Sequence, residues 1–381
     1  MPIVPQDQLR HFVAIVSNIA PKCGFTLAYH LVIMQIAAIP QGGKMNQREN
    51  YEALVHHHET EWVPNVFTEV AILGGQFETW ENGPIEGGLD GFGCNWIPTE
   101  SAGGQPALDP ACIMLDDVCD WEDKVIFPNL DAIDWQAYAD QTLAGVDRNA
   151  KFVEYHTWNS VYLRFSHLLG FENALCAFFE EPEASKALCN AIADYKIKLI
   201  ERVAHYIKPD AYVHYDDVAT DRDLFMSPEV YREFIKPGHT RMNEAAAALG
   251  IHPEIHVCGK CESIIPDLIE EGSHAWQSAQ PMNDLESIIQ NYGDRIAVIG
   301  GYDTNGAPSL PTVSDEEIIA EVHRCIDTYG RFGKGYGFFG FLLGSFSDPE
   351  IAHRYGVMFA EAAQYAGAPI PIENKGISIL A

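Results

Sequence analysis

Basic residues are scarce in this sequence. Of its 381 residues only 24 are Lys or Arg, whereas 54 are Asp or Glu, so the formal net charge at pH 7 is -30. A protein that binds nucleic acid needs a basic surface to neutralise phosphate groups, and an anionic membrane surface makes the same demand. The composition therefore argues against nucleic acid as a partner and against binding to a membrane.

A long unbroken apolar run is also missing. Residues 12–39 are mostly apolar, but Asn18, Pro21 and Lys22 interrupt them, and the basic segment of a signal peptide is lacking. We interpret residues 1–44, which end in a flexible Gly-Gly-Lys joint, as an N-terminal extension. Such an extension is suited to packing at a subunit interface, for example in a homodimer.

The cysteines form no recognisable pairing pattern. There are nine, an odd number, and their spacing is irregular. In a chain of this length such a pattern is not a disulfide framework, and free thiols are typical of a reducing cytoplasm. We therefore expect a cytoplasmic protein.

Glycine-rich nucleotide-binding loops are absent as well, since no Gly-x-Gly-x-x-Gly follows a predicted strand and there is no Walker loop. From residue 211 onward, strand-like runs alternate with helical patterns five times, and there is room for three more units before them. The predicted strands of the five units cover residues 211–215, 254–258, 275–278, 296–300 and 336–343. We predict an α/β fold, a (β/α)8 TIM-type barrel over residues 45–381, with a further strand over 62–67.

The first element of the predicted barrel is a helix that Asn46 caps. His56, His57 and His58 follow at the end of this helix, where the helix dipole favours cations. Adjacent side chains on a helix point in different directions. We therefore interpret the three histidines as a helix terminus rather than as a metal site.

The sharpest functional signal is the stretch over residues 254–262, which is typical of a strand end, a glycine turn and a helix. Residues two apart in a strand point to the same side, so His256 and Cys258 project together where a barrel enzyme keeps its active site. Imidazole and thiolate are zinc ligands, and Cys261 could fold back past Gly259 as a third. We expect zinc at His256, Cys258 and Cys261; the alternative is a partly buried histidine with two inert core cysteines.

Carboxylates follow two other predicted strands. Asp216 and Asp217 end the strand over 211–215, and Asp303 follows the strand over 296–300. Because neighbouring residues point to opposite sides, only one carboxylate of the Asp-Asp pair can face the barrel mouth. We predict Asp217 and Asp303 as catalytic residues, the first as a substrate-orienting group or proton donor and the second near the metal. Asp217 could instead cap a helix or brace a loop.

Aromatic and imidazole side chains accompany these strand ends and could wall a pocket for an apolar or aromatic substrate. The predicted substrate-binding residues are Trp96, His156, Tyr215, Tyr302 and Phe339, with Trp158 close to them in the sequence. Ordinary packing in a barrel explains each of them equally well when it is taken singly.

Taken together, these motifs resemble the uroporphyrinogen decarboxylase superfamily, in its corrinoid-dependent methyltransferase branch. The resemblance rests on residues 48–51 and 62–64, residues 90–93, Asp216-Asp217 followed by residues 226–229, the His-x-Cys motif at 256–259, and residues 299–303. The motifs extend over about residues 45–365, so the resemblance implies a TIM barrel for nearly the whole chain.

Within this superfamily, the decarboxylases have a different pattern, in which an arginine-rich N-terminal segment holds the substrate carboxylates. This sequence has no such arginine pair there. The zinc-binding members that methylate thiols use a cysteine on the last barrel strand as their third ligand, whereas residues 340–345 contain no cysteine. The aromatic-rich front half is more similar to members that demethylate aryl methyl ethers.

The resemblance implies a methyltransferase that moves a methyl group from a small methoxylated, aromatic substrate to Co(I) of a corrinoid protein. Zinc, or an acid such as Asp217 or Asp303, would stabilise the departing oxygen. The implied cofactors are zinc and a corrinoid that the partner protein carries. The alternatives are a methylcobamide:thiol methyltransferase of the coenzyme M type, a decarboxylase-like lyase, and a corrinoid- or tetrapyrrole-binding protein without activity.

Overall fold

The computed structural model describes residues 45–75, 78, 80–99, 106–344 and 348–368. The predicted N-terminal extension, residues 1–44, lies outside the described residues, so its role stays a prediction. Within the described ranges, no helix is both long and apolar enough to cross a membrane.

A curled parallel sheet forms the centre of the described fold. In chain order, the strands are β1 (Val70–Gly74), β2 (Gly88–Leu89), β3 (Asn95–Ile97), β4 (Ala107–Leu108), β5 (Phe152–Thr157), β6 (Ala211–Tyr215), β7 (His252–His256), β8 (Ala275–Ala279), β9 (Ala297–Gly301) and β10 (Tyr336–Phe339). Seven of them pair in parallel in the order β1-β5-β6-β7-β8-β9-β10, whereas β2, β3 and β4 form a small antiparallel sheet. All residues of β5, β8 and β9 are buried, as expected for parallel strands that are covered on both faces.

The two edges of the parallel sheet meet through the segment that precedes β1. The backbone N–H of Phe338 in β10 donates to the carbonyl oxygen of Pro64 at 2.7 Å, and Asn65 pairs with Phe338 in parallel. This two-residue bridge takes the place of the strand predicted over 62–67. The strand cannot continue because Asn65 caps a short helix, its side chain accepting from the N–H of Phe67 at 3.0 Å. The predicted TIM-type barrel is confirmed.

Helices follow each of the last five barrel strands, as the alternation in the sequence predicts. The α-helices of the described chain span Gln47–Val55, Val66–Glu69, Trp121–Lys124, Trp135–Thr142, Val161–Leu169, Phe171–Glu180, Pro182–Tyr206, Pro228–Val230, Lys236–Ala248, Ile265–Glu270, Leu285–Tyr292, Asp315–Tyr329 and Pro349–Ala366, with a π-helical turn over Tyr231–Ile235. The first of them begins with a capping box formed by Asn46 and Glu49. Its Tyr51, Leu54 and Val55 are buried in the barrel floor.

The small antiparallel sheet is attached to the barrel by buried ion pairs. Arg164 donates to Asp90 at 2.7 Å, and Lys196 donates to Glu81, with all four side chains fully buried. The guanidinium group of Arg164 also lies 3.9 Å from the centre of the Phe92 ring. Removing one partner of a buried pair typically costs about 3–5 kcal/mol, because the other charge is left without compensation. These contacts therefore hold the segment between β1 and β5, which contains the small antiparallel sheet, against the barrel helices.

Candidate active site

Three side chains that could hold a metal ion meet at the C-terminal ends of two neighbouring strands, β6 and β7. They are Asp217, His256 and Cys258, and one ligand atom of each lies within 4.8 Å of the others. The strands pair in parallel with Tyr215 opposite His256, so the loops that follow them leave the sheet at the same edge. TIM-type barrels hold their active sites at this edge.

Cys258 lies in the turn after β7, because this strand covers His252–His256 and not the predicted residues 254–258. The backbone N–H of Cys258 donates to Oδ1 of Asp217 at 2.7 Å, and its sulfur lies 3.4 Å from Nε2 of His256. Gly259 makes the turn feasible. Its φ is +88°, and a Cβ atom there would lie 2.5 Å from a backbone oxygen of the neighbouring loop.

Burial sets the protonation of these three groups. It lowers the pKa of His256 to about 3, with a further contribution from His156, so the imidazole is neutral near pH 7. Burial raises the pKa of Asp217 to about 6. Burial, together with the Asp217 carboxylate, raises the pKa of the Cys258 thiol well above its ordinary value. A bound divalent cation reverses this tendency of the thiol and the carboxyl group, because it stabilises their anionic forms.

The donor set fits zinc. Imidazole nitrogen, thiolate sulfur and carboxylate oxygen are all zinc ligands, and three protein ligands with one open position are typical of a catalytic site. Among the described residues, Nδ1 of His256 is a buried polar atom without a hydrogen-bond partner. The other ring nitrogen, Nε2, faces the sulfur of Cys258 at 3.4 Å, so Nε2 is the atom that would bind a metal held together with Cys258.

A hydrogen-bonded chain lies directly against His256. The Tyr215 ring stacks on the His256 ring with centroids 3.9 Å apart. The Tyr215 hydroxyl lies 2.7 Å from Nδ1 of His156, and Nε2 of the same histidine lies 2.7 Å from Oε2 of Glu154. Tyr51 donates to the other oxygen of Glu154 at 2.7 Å. Tyr215 is thus held by a histidine that a buried carboxyl group orients in turn.

This series of hydrogen-bonded side chains continues across the barrel interior through Gln277. The Nε2 atom of Gln277 donates to Glu154 at 3.0 Å and to Glu254 at 2.8 Å. Burial, and next the neighbouring Glu154, raise the pKa of Glu254 well above its ordinary value. The barrel interior below the site is therefore polar and hydrogen-bonded, in contrast to the apolar filling that is typical of these barrels.

Ser278 brings a hydroxyl group to the site through an irregularity in β8. The pairing of β8 with β9 shifts between Gln277 and Ala279, and Ser278 between them has a positive φ of 62°. A residue other than glycine rarely adopts this conformation, and such strain is often found at functional sites. The result here is that the Ser278 hydroxyl lies 3.2 Å from the sulfur of Cys258.

The sequence reasoning missed Glu154, Gln277 and Ser278. Two of these three residues could have been identified from the sequence. Glu154 is a carboxyl group between Val153 and Tyr155 in a strand, and Ser278 stands at the end of a predicted strand, where barrel active sites lie. The role of Gln277 could not be read in the same way, because a single amide in a strand carries no such signal.

Two of the predicted site residues do not join the group of three. Cys261 is buried in the apolar core, and its backbone N–H donates to the side chain of Asn283 at 2.9 Å. Asp303 accepts hydrogen bonds from the backbone N–H groups of Asn305 and Gly306, at 3.2 Å and 2.8 Å, and so braces its own turn. The structure brings Asp217, rather than either of these residues, to His256 and Cys258.

The predicted substrate-binding residues fall into two sets. Tyr215 and His156 belong to the hydrogen-bonded chain, and Phe339 meets the His256 ring edge-on with centroids 6.1 Å apart. By contrast, the indole of Trp96 donates to Asp90 in the inserted sheet, at 3.1 Å. Tyr302 is buried and donates to the carbonyl oxygen of Pro308 at 2.8 Å. Trp158, close to His156 in the sequence, lies against Tyr215 with ring centroids 5.8 Å apart.

The side chains of the adjacent residues Asp216 and Asp217 point to opposite sides, as the strand alternation predicts. Asp217 faces the site, whereas Asp216 accepts from the first N–H groups of the helix Val161–Leu169 and from Nε2 of His239. Burial alone would lower the pKa of His239, but Glu271 and Asp216 raise it to about 10. Asp216 therefore fixes the helix and a charged histidine behind the site.

Comparisons with known proteins agree with this architecture. Residues 163–339 match the uroporphyrinogen decarboxylase (URO-D) family. Over 161 residues the chain is 22% identical to the methylated-thiol–coenzyme M methyltransferase of Methanosarcina mazei, a match that covers 42% of this chain and 41% of that protein. The chain thus matches about two fifths of the length of this curated relative. The fold is similar to the solved structure of a methyltransferase from Methanosarcina mazei, with a TM-score of 0.59 at 14% identity, covering 85% of this chain and 100% of the other.

Proposed function

Because residues 163–339 form a domain of the uroporphyrinogen decarboxylase family, we propose that the protein is a corrinoid-dependent methyltransferase. It moves a methyl group from a small methoxylated, aromatic substrate to Co(I) of a separate corrinoid protein. The observation that carries this proposal is the group of Asp217, His256 and Cys258 at the barrel mouth. The sequence relative supports the methyltransferase class, since it is named a methylated-thiol–coenzyme M methyltransferase.

These three residues would hold zinc, and zinc would supply a Lewis acid that stabilises negative charge on the oxygen that loses its methyl group. An aryloxide leaves poorly unless such charge is stabilised. With Asp217 engaged as a ligand, a proton for the leaving oxygen has to come from another group. The half-buried Tyr215 is the nearest phenol, since its ring stacks on His256.

Tyr215 can deliver a proton without becoming a stranded anion. Its oxygen lies 2.7 Å from Nδ1 of His156, so His156 can return a proton to it from behind. Glu154, 2.7 Å from the other ring nitrogen, orients that histidine. General acid catalysis of this kind contributes typically about 100- to 10,000-fold in rate.

The half-buried aromatic rings around the site favour a flat substrate. Trp158 lies against Tyr215, and Phe339 meets His256 edge-on and stacks on Phe67 with centroids 5.2 Å apart. Aromatic rings prefer such offset and edge-on contacts with other rings. The corrinoid protein then docks over the barrel mouth, at the C-terminal ends of β6 and β7.

A second candidate is methyl transfer between a methylcobamide and a thiol of the coenzyme M type. The observation that favours it is the relative from Methanosarcina mazei, which is named for a methylated thiol and coenzyme M. The chemistry shares the His256 and Cys258 ligands, but the substrate would be a thiol and the corrinoid would donate the methyl group.

The experiment that decides between them follows the corrinoid spectrum in both directions. The protein is mixed with Co(I)-cobalamin, or its matched corrinoid protein, and with vanillate or guaiacol; formation of methylcobalamin supports the first candidate. Consumption of methylcobalamin by coenzyme M, with no reaction of any methoxyarene, replaces it with the second. Cys258→Ser should abolish activity, whereas Cys119→Ser, at an exposed thiol, should not. If neither direction proceeds with the matched corrinoid protein present, the protein is not a methyltransferase.

A further inference from the structure

A cluster of histidines lies at the opposite face of the barrel from Cys258. His252 opens β7 and His274 directly precedes β8, so both stand where these parallel strands enter the barrel. His56 and His57 follow the helix Gln47–Val55 and reach the same face. The fold thus brings together histidines that lie about 200 residues apart in the sequence.

The rings in this cluster are in direct contact. Nδ1 of His252 lies 2.9 Å from Nδ1 of His274. The His56 ring meets the His252 ring edge-on with centroids 4.6 Å apart. Nε2 of His57 lies 2.8 Å from the carbonyl oxygen of His274, which ties the end of the helix to the start of β8.

Burial lowers the pKa of three of these imidazoles, those of His252, His274 and His57. Burial, and next the neighbouring His274, lower the pKa of His252 to about 4. Burial also lowers the pKa of His274 and of His57. The acidic group that acts on His252 is Asp210. The carboxylate of Asp210 already accepts two hydrogen bonds from Arg48, at 2.5 Å and 2.6 Å. Burial therefore favours neutral nitrogen donors at His252 and His274 over repelling cations.

We propose that His56, His252 and His274 bind a divalent first-row transition-metal cation, for which Zn²⁺ is the probe. Imidazole nitrogen suits zinc, copper and nickel. Two nitrogens on a tetrahedral zinc lie about 3.3 Å apart, since each zinc–nitrogen bond is about 2.0–2.1 Å long. The His252–His274 pair therefore needs to open by only a few tenths of an ångström. His56 is exposed, so rotation of its side chain can supply the third nitrogen.

Metal binding here would cross-link the first helix to β7 and β8. The His57 hydrogen bond and the ring contacts of His56 with His252 and of His57 with His274 already join the end of the helix to these strands. The site is independent of the proposed methyl transfer, because it lies at the other end of β7 from Cys258.

The test measures Zn²⁺ uptake by the full-length chain without a histidine tag, after metal removal, by equilibrium dialysis and metal analysis. A His256→Ala/Cys258→Ser double variant lacks the first site and should still bind about one Zn²⁺ per chain. In that background His252→Gln should weaken binding at least about 10- to 100-fold. His205→Gln, at an exposed histidine of the helix Pro182–Tyr206, should leave binding unchanged.

If the His252→Gln variant does not fold, a second variant tests the same site. His56 is exposed, so His56→Gln should keep the fold while it weakens Zn²⁺ binding by a similar factor. Zn²⁺ should raise the melting temperature of the double variant, and His56→Gln should remove this increase. The proposal is overturned if the double variant binds no zinc, or if a folded His252→Gln or His56→Gln variant keeps full affinity.

Discussion

Asp217→Asn should change the pH dependence of zinc binding at the active site. A ligand must lose its proton before it binds zinc, so the slope of log affinity against pH equals the number of protons released. Burial raises the pKa of Asp217 to about 6 and raises the pKa of Cys258 well above its ordinary value, whereas the pKa of His256 is about 3. Above pH 5 only Asp217 and Cys258 therefore release protons.

The magnitude follows from these protonation states. At pH 7.5 Asp217 is almost fully ionised, so only Cys258 releases a proton and the slope is about 1. At pH 5.5 Asp217 is about three-quarters protonated, and the slope rises to about 1.8. In Asp217→Asn the slope should stay near 1 over the whole range, and the affinity at pH 7.5 should fall at least about 10- to 100-fold. Asn can still accept from the Cys258 N–H, so the turn itself is preserved.

The assay is a competition between the protein and a chromophoric chelator at pH values from 5 to 8. Asp221→Asn, at an exposed carboxylate in the same loop, is the matched control and should behave as the unchanged protein. If Asp217→Asn and the unchanged protein have the same affinity and the same slope below pH 6, Asp217 is not a ligand and the reasoning from the three-residue group is wrong.

Three other outcomes can be measured. Tyr215→Phe should slow methyl transfer by about 100- to 10,000-fold and leave zinc content unchanged; a loss of zinc instead would show that Tyr215 only supports the metal. Arg164→Ala should lower the free energy of unfolding in urea by about 3–5 kcal/mol, because it leaves Asp90 buried without its partner, and a change below 1 kcal/mol would contradict this. The raised pKa of His239, about 10, means that its contribution to stability is complete below pH 6.5 and is lost as the pH rises toward 10. His239→Gln should remove that decline from urea unfolding measured between pH 6 and pH 10, whereas His205→Gln should not.

Strand and helix order could be predicted from the sequence because both depend on local patterns. Apolar runs and helical spacing placed five strand–helix units after residue 211, and the structure has β6 to β10 there, each followed by a helix. The same local rule placed His256 and Cys258 together, since they lie two residues apart. It also separated Asp216 from Asp217, because adjacent residues on an extended chain point to opposite sides.

The partners of these residues could not be predicted, because they come from different loops. Cys261 is close to Cys258 in the sequence, yet the turn at Gly259 sends it into the apolar core, whereas the pairing of β6 with β7 brings Asp217 to the site. The polar side chains below the site, Glu154, Gln277 and their hydrogen-bonded neighbours in the sheet, come from four strands, and no local pattern in the sequence records which strands lie next to one another.

By itself, then, the sequence determined the class of fold and the meeting of His256 with Cys258 at the edge of the sheet where barrel active sites lie. Only the tertiary structure decided that Asp217 completes their group, that Asp303 braces a turn, and that His56 meets His252 at the opposite face. The physical reason is the distance along the sequence over which each effect acts. Backbone alternation and helical period act over a few residues, whereas a site with three donors depends on the closure of a sheet whose strands are tens to hundreds of residues apart.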